Sequence, residues 1–411
     1  MSAAAKRPPA IDAGAHFLSG AQSAQGQLPA VDGALAQLRA AGLSALETAA
    51  WPTAKTESWK YSRLTKLLEP EFLAPTAGAT ELFSGALPEG VSLRPLSQLG
   101  AVPEALALSS EAFDALNAAL VPEAFELVVA PGVVVSKPLE LRLAQQGPGA
   151  FLRLALRLGA GSQLTLIERQ DGEGAAFASA VVNITLDAGA QLRHRRLSLS
   201  AGAGRWLTQH RLTVGPKAHY DLLLAQRGAA FRRNELELEL KGEGATVALA
   251  GASLTDGAEH LDTQVAMNHC EPQGTSTQRF RALAAGQSKT TLRGRIHILP
   301  QAQKSDGAFN VRSLLLSRQA ELNAKPELEI YADDVACAHG ATVGELDPGA
   351  VFYLRSRGLS EQAARAALAY AHLATVIDGL EDQALVEELS SAFKAAFGRA
   401  FAGSATGEAR A

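Results

Sequence analysis

The chain has 411 residues, 47% of them hydrophobic and 19% charged, with a formal net charge of −4 and only two cysteines. That length exceeds one ordinary core and calls for two or three units, while the composition is that of a soluble globular protein and not of a disordered one. The charge leaves no footprint for nucleic acid, no apolar run is long enough to cross a bilayer, and so few cysteines do not make a disulfide framework.

The first residues, MSAAAKRPPA, lack the apolar stretch of a secretory signal, so a cytoplasmic protein is expected. Residues 1–30 are rich in Ala, Gly, Ser and Pro and predict a loose start. Leu35, Leu38, Leu43 and Leu46 then recur at three- and four-residue steps and predict a helix over 31–50, broken by Pro52. Trp51–Leu68 is the most aromatic stretch; it reads as a surface turn whose rings pack on neighbouring helices, with a partner-binding role as the alternative. A further helix is expected over Ser109–Leu120, capped by Ser109 or Ser110. Residues 1–125 thus form an N-terminal helical region.

From 126 to 344 the text alternates. Leu152, Leu154, Leu156 and Leu158 mark one run, Val182, Ile184 and Leu186 another, Leu236, Leu238 and Leu240 a third. Period two predicts strands with one buried face. The runs also repeat: Leu156–Leu164, Ile184–Leu192, Leu212–Tyr220 and Leu238–Val247 align, with steps of 28, 28 and 26 residues from Leu158 to Leu186, Val214 and Leu240. So even a step, with Gly-rich corners, favours the stacked coils of a β-solenoid over a sandwich. His194, His210 and His219 lie in these strands and read as half-exposed.

After Gly344 the strands stop. Asp347-Pro348 opens a helix that ends at Gly358, and Ser360 caps a second. In the third, Leu385, Leu389, Phe393, Phe397 and Phe401 recur every four residues. Such a stripe is either a core side or a docking face; behind a finished solenoid little core is expected for it, which favours docking. Residues 345–411 form a C-terminal helical domain, and the fold class is mainly β, a β-helix flanked by helical regions.

The chemistry concentrates where the strands end. Asp333, Asp334, Cys337 and His339 fall within seven residues, and C-x-H on an extended backbone puts thiol and imidazole on one face. The pair suits iron or zinc, but a closed site needs four ligands. His269 and Cys270 are adjacent and would face opposite ways, so Cys270 reads as a packing cysteine. No phosphate-binding glycine loop, G-x-S-x-G, H-E-x-x-H or C-x-x-C occurs, so nucleotide binding and a standard hydrolase set are not expected.

The segment Asn323–Gly358, containing EIYADDVACAHGATVG, closely resembles the SufB/SufD family of iron–sulfur cluster assembly scaffolds. Pro52–Tyr61 resembles that family's Pro-Thr…Glu-x-Trp-x-Tyr signature, and His269–Pro272 with Thr275 and Ser276 fits its core. The resemblance implies a non-catalytic scaffold that pairs with SufB through the β-helix and docks the SufC ATPase through the C-terminal helices. It implies that Phe352, Tyr353, Leu385, Leu389, Phe393 and Phe397 bind the partner. It further implies that a transient cluster, or iron being acquired, meets His339 and the less secure Cys337 at the SufB interface. Asp333 and Asp334 then orient the imidazole or receive iron, with a solvated strand end as the plainer reading. Whether a reduced flavin takes part in the complex stays open, as does a homodimer without SufB. The competing readings are a self-sufficient metal-binding solenoid and a carbohydrate-active β-helix enzyme, which would need charged residues lined along successive coils.

Overall fold

The computed structural model describes residues 13–53, 55–62, 64–67, 82–83, 85–144, 149–172 and 176–402. Its alternating runs become seventeen strands in two sheets among these residues. One sheet runs, in spatial order, β1 (Val91–Pro95), β2 (Ala124–Val129), β4 (Gly149–Leu158), β6 (Phe177–Leu186), β8 (Arg205–Val214), β10 (Phe231–Leu240), β12 (His260–His269), β14 (Lys289–Ile298) and β16 (Glu321–Ile330). The other runs β3 (Leu139–Ala144), β5 (Gln163–Asp171), β7 (Gln191–Ser198), β9 (His219–Arg227), β11 (Thr246–Thr255), β13 (Thr275–Ala284), β15 (Asp306–Leu315) and β17 (Ala336–Glu345). Each coil therefore lays one strand in each sheet, parallel to the coil before it, and only β1 pairs antiparallel, with β2. This is the β-solenoid that the repeat predicts, and its register is the repeat's own. Leu156, Ile184, Leu212 and Leu238 stack as direct partners.

The 28-residue step closes at a corner that needs a left-handed residue in each coil. Gly161, Gly189 and Gly244 supply it at φ of 68°, 69° and 69°, but Lys217, Gln273 and Lys304 hold the equivalent place at 54°, 61° and 60°. Side chains seldom adopt that region, and coil stacking holds them there. Between the sheets lies a core of stacked leucines, valines and isoleucines.

Both outer faces are covered as well. Helices α1 (Ala13–Gln25), α2 (Gly33–Thr48) and α3 (Ala112–Leu120) pack Phe17, Leu38, Phe113 and Leu116 against Phe151, Phe177, Leu207 and Phe231 of the first sheet. Past the solenoid come α4 (Pro348–Ser356), α5 (Glu361–Ile377) and α6 (Gln383–Ala402). Of these, α5 and α6 cover Ile167, Leu197, Leu223, Leu254 and Leu283 of the second sheet.

Several expectations change here. The loose start is a helix over Ala13–Gln25, because Phe17 has Trp51 to stack on at 4.4 Å; residues 1–12 lie outside the described residues. Glu111, not a serine, is the N-cap of α3, and Asp114 accepts the Ser109 backbone N–H at 2.6 Å. His194 and His210 are buried inside the solenoid. The stripe of α6 has a large intramolecular core after all: Leu385, Leu389, Phe393, Phe397 and Phe401 are 0–4% exposed, packed on α5 and the second sheet. The signal was present in Leu222-Leu223-Leu224, where consecutive leucines mean a strand buried on both faces. Asp347 and Ser360 do cap α4 and α5, accepting from Gly349 N–H at 2.9 Å and Ala363 N–H at 3.2 Å.

Candidate functional site

No strand among the described residues lies beyond the last coil. Among the described residues β16 pairs with β14 alone and β17 with β15 alone, so each leaves one edge unpaired. Positions that are sealed in earlier coils are therefore open here. Phe309 on β15 is 2% exposed inside the core, whereas its register partner His339 on β17 is exposed. Cys337 and His339 point the same way, as the C-x-H spacing requires of a strand.

Cys337 is half-buried against the end of the core. It sits beside Gly307, where an added Cβ would lie 3.2 Å from its sulfur, so the glycine is what lets the thiol tuck in. Burial pushes the thiol's pKa up, while the Gly307 N–H offers the thiolate a hydrogen bond that pulls it part of the way back. At neutral pH it is therefore a thiol, and it must lose its proton to bind a metal.

Asp333 and Asp334 form an exposed bend between β16 and β17. The backbone of Asp334 anchors this bend, since its N–H donates to Gln303 Oε1 at 3.0 Å and its carbonyl accepts from Lys304 N–H at 2.6 Å. Neither carboxylate is hydrogen-bonded to His339, and among the described residues no three His, Cys, Asp or Glu side chains gather as a metal site. The chain therefore brings Cys337 and His339 to one open edge but does not complete a ligand set around them. The other His–Cys pair is elsewhere: His269 is buried with Nε2 2.8 Å from Ser276 Oγ, its pKa lowered by burial to about 4, and half-buried Cys270 has its thiol pushed up by burial.

Exposed apolar residues gather at the same end. Of the seven large hydrophobic residues exposed among those described, Ile330, Tyr331, Val343, Phe352, Tyr353 and Leu359 fall between positions 330 and 359. Phe352 and Tyr353 are 72% and 56% exposed on α4, a helix that buries none of its residues. No helix among the described residues is long and apolar enough to cross a membrane.

Comparison with known proteins agrees with this architecture. Residues 141–372, from β3 into α5, match the model of the SUF system FeS cluster assembly SufBD core domain. The chain is 29% identical over 381 residues to the iron–sulfur cluster assembly protein SufD of Escherichia coli, spanning 82% of this chain and 87% of that one. A SufBD family protein of Synechocystis is 32% identical over 205 residues, 49% of this chain and 45% of its own. SufB of Bacillus subtilis is 25% identical over 257 residues, 61% and 55% of the two chains. With its core domain, its solenoid and its terminal C-x-H strand, the chain belongs to the SufBD family of the SUF iron–sulfur cluster assembly system.

Proposed function

We propose that this chain is a non-catalytic scaffold subunit that joins a SufB-type partner through the unpaired edges of β16 and β17. The observation that carries this reading is the open last coil, which presents Cys337 and His339 on a free strand edge beside Ile330, Tyr331 and Val343. Free edges and exposed apolar residues invite a further strand from another chain. Two donors are too few for a closed site, so iron or a nascent cluster is cargo shared with the partner. His339 supplies an imidazole nitrogen, Cys337 a thiolate once its proton leaves, and the partner the remaining ligands. Acquisition of iron at this edge follows from the same donors, with the acidic bend at Asp333 and Asp334 raising the local cation concentration.

The SufC-type ATPase docks on the exposed side of the C-terminal helices, through Phe352 and Tyr353 of α4. The buried α6 residues instead hold that platform on the solenoid. The compartment that this machinery implies is the cytoplasm. The test is co-purification of the tagged chain with its SufB and SufC counterparts, followed by anaerobic cluster reconstitution. We expect a stable three-component complex, with cluster yield lowered several-fold by His339→Ala and assembly unchanged. An unaltered yield in the variant would remove His339 as a ligand; failure to form the complex would overturn the scaffold reading itself.

A further inference from the structure

One stretch of the solenoid interior is polar, and the assembly function does not use it. Glu168 on β5, His194 and Arg196 on β7, Thr208 and His210 on β8 and Arg232 on β10 are all 0–4% exposed. The Glu168 carboxylate accepts hydrogen bonds from Gln170 Nε2 at 2.9 Å, His210 Nε2 at 3.0 Å, His194 Nε2 at 3.2 Å and Arg196 Nε at 3.3 Å. Burial alone would raise its pKa, but the charge of Arg196 and the two imidazoles hold it well below the usual carboxylate range. Burial also lowers both histidines, His210 to about 4, so the imidazoles are neutral at physiological pH. Glu168 and Arg196 therefore cancel each other's charge.

Arg232 is not cancelled. Its Nη1 donates to Gln170 Oε1 at 2.9 Å, and its guanidinium carbon lies 5.0 Å from the Trp206 ring centre. Its Nε and Nη2 have no partner, and neither does Nη1 of Arg196. Among the described residues no carboxylate forms an ion pair with Arg232: its strongest charge neighbour is Arg196, and Glu259, which acts on it more weakly, is already paired with Arg227 at 3.1 Å. An ionised group shut away from water without a counter-charge is unstable, and its unfilled N–H groups make it more so. Water would fill the hydrogen bonds but leave the charge.

We propose that the open N–H groups of Arg232, with Arg196 beside them, hold a small singly charged inorganic anion of halide size inside the solenoid. One surplus positive charge calls for one negative one, and donors enclosed by the Trp206 ring and stacked coils exclude a bulky ion. The bound anion joins, through Arg196, a hydrogen-bonded chain that runs from Glu168 on β5 through Arg196, Thr208, Asn234 and Gln226 to Thr263 on β12.

Bromide is the probe. Crystals of the full chain soaked in sodium bromide should show anomalous scattering within hydrogen-bonding reach of Arg232 Nε or Nη2. The melting temperature should also rise by a few degrees when bromide replaces isethionate at fixed ionic strength, and Arg232→Gln should lose that rise. Ordinary water density at Arg232, with bromide only on the surface, would overturn the proposal. So would an identical bromide response in both proteins. Should the variant fail to fold, the wild-type anomalous map decides alone.

Discussion

Trp59 and Arg233 show how a short N-terminal signature is bound to the solenoid. The Arg233 guanidinium lies 4.0 Å above the Trp59 ring, which also stacks on Phe113 and Phe231. Arg233 pairs with Asp262 and, at 2.6 Å, with Glu235; Ser62 donates to Asp262, and Glu57 pairs with Lys325. The Glu-x-Trp part of the signature is therefore a strap across the outer face of the first sheet, reaching beyond the helices that the sequence suggested for its rings. Ser62, His260 and Asp262 have the residue types of a hydrolytic triad, but all are at most 3% exposed, and the serine stands between the other two. That order gives a structural knot with no access for substrate.

Another buried histidine sets a pH limit on the fold. His269, whose pKa burial lowers from 6.5 to about 4, stays neutral when folded, whereas an unfolded chain takes up the proton below about pH 6.5. Its contribution is complete above that value and is lost as pH falls towards 4. The rate is at most about 1.4 kcal/mol per pH unit. Urea titrations of wild type and His269→Gln at pH 7 and pH 5 should differ in their pH dependence by about 2 kcal/mol. Parallel losses in the two proteins would refute the assignment.

At the scale of elements, α6 packs its stripe into a core where its sequence suggested docking, while α4, whose Phe352 and Tyr353 the resemblance also assigned to a partner, stays exposed. The four-residue stripe on α6 is insulated from partners because the second sheet is apolar on its outer face too. Phe393→Ala should cost about 3–5 kcal/mol in a denaturant melt, the usual loss for a buried ring. Phe352→Asp combined with Tyr353→Asp should leave stability within about 0.5 kcal/mol, since both side chains are solvated, while weakening ATPase docking at least tenfold in a binding titration. The reverse pattern would return the docking surface to α6. Helix periodicity made the stripe legible but could not name its partner, because an apolar face is equally consistent with core and interface.

At the scale of the molecule, the helices cover both broad faces and, among the described residues, leave the outer edges of the final coil unpaired. The solenoid can therefore be extended at that end by a partner, or in its absence by a second copy of the same chain. Charges on the bare edge should block either event without unfolding the coils. Ile330→Lys with Val343→Lys should abolish association with the SufB-type subunit, read by light scattering on a sizing column, and should convert any homodimer to monomer. Retained association in a folded double variant would place the interface elsewhere.

The 28-residue step and the period-two runs in the sequence determined the solenoid and its register, and C-x-H determined that Cys337 and His339 share one strand face. These are local regularities, and backbone geometry turns them directly into strands, corners and stacked partners. Only the tertiary structure decided which apolar stripe is covered, that the polar side chains of β5, β7, β8 and β10 meet in the interior, and that the C-x-H strand is the last rung. The hydrophobic effect is non-directional: it demands burial of Phe393 and Phe352 alike, and only the space left by the other elements settles which of them obtains it.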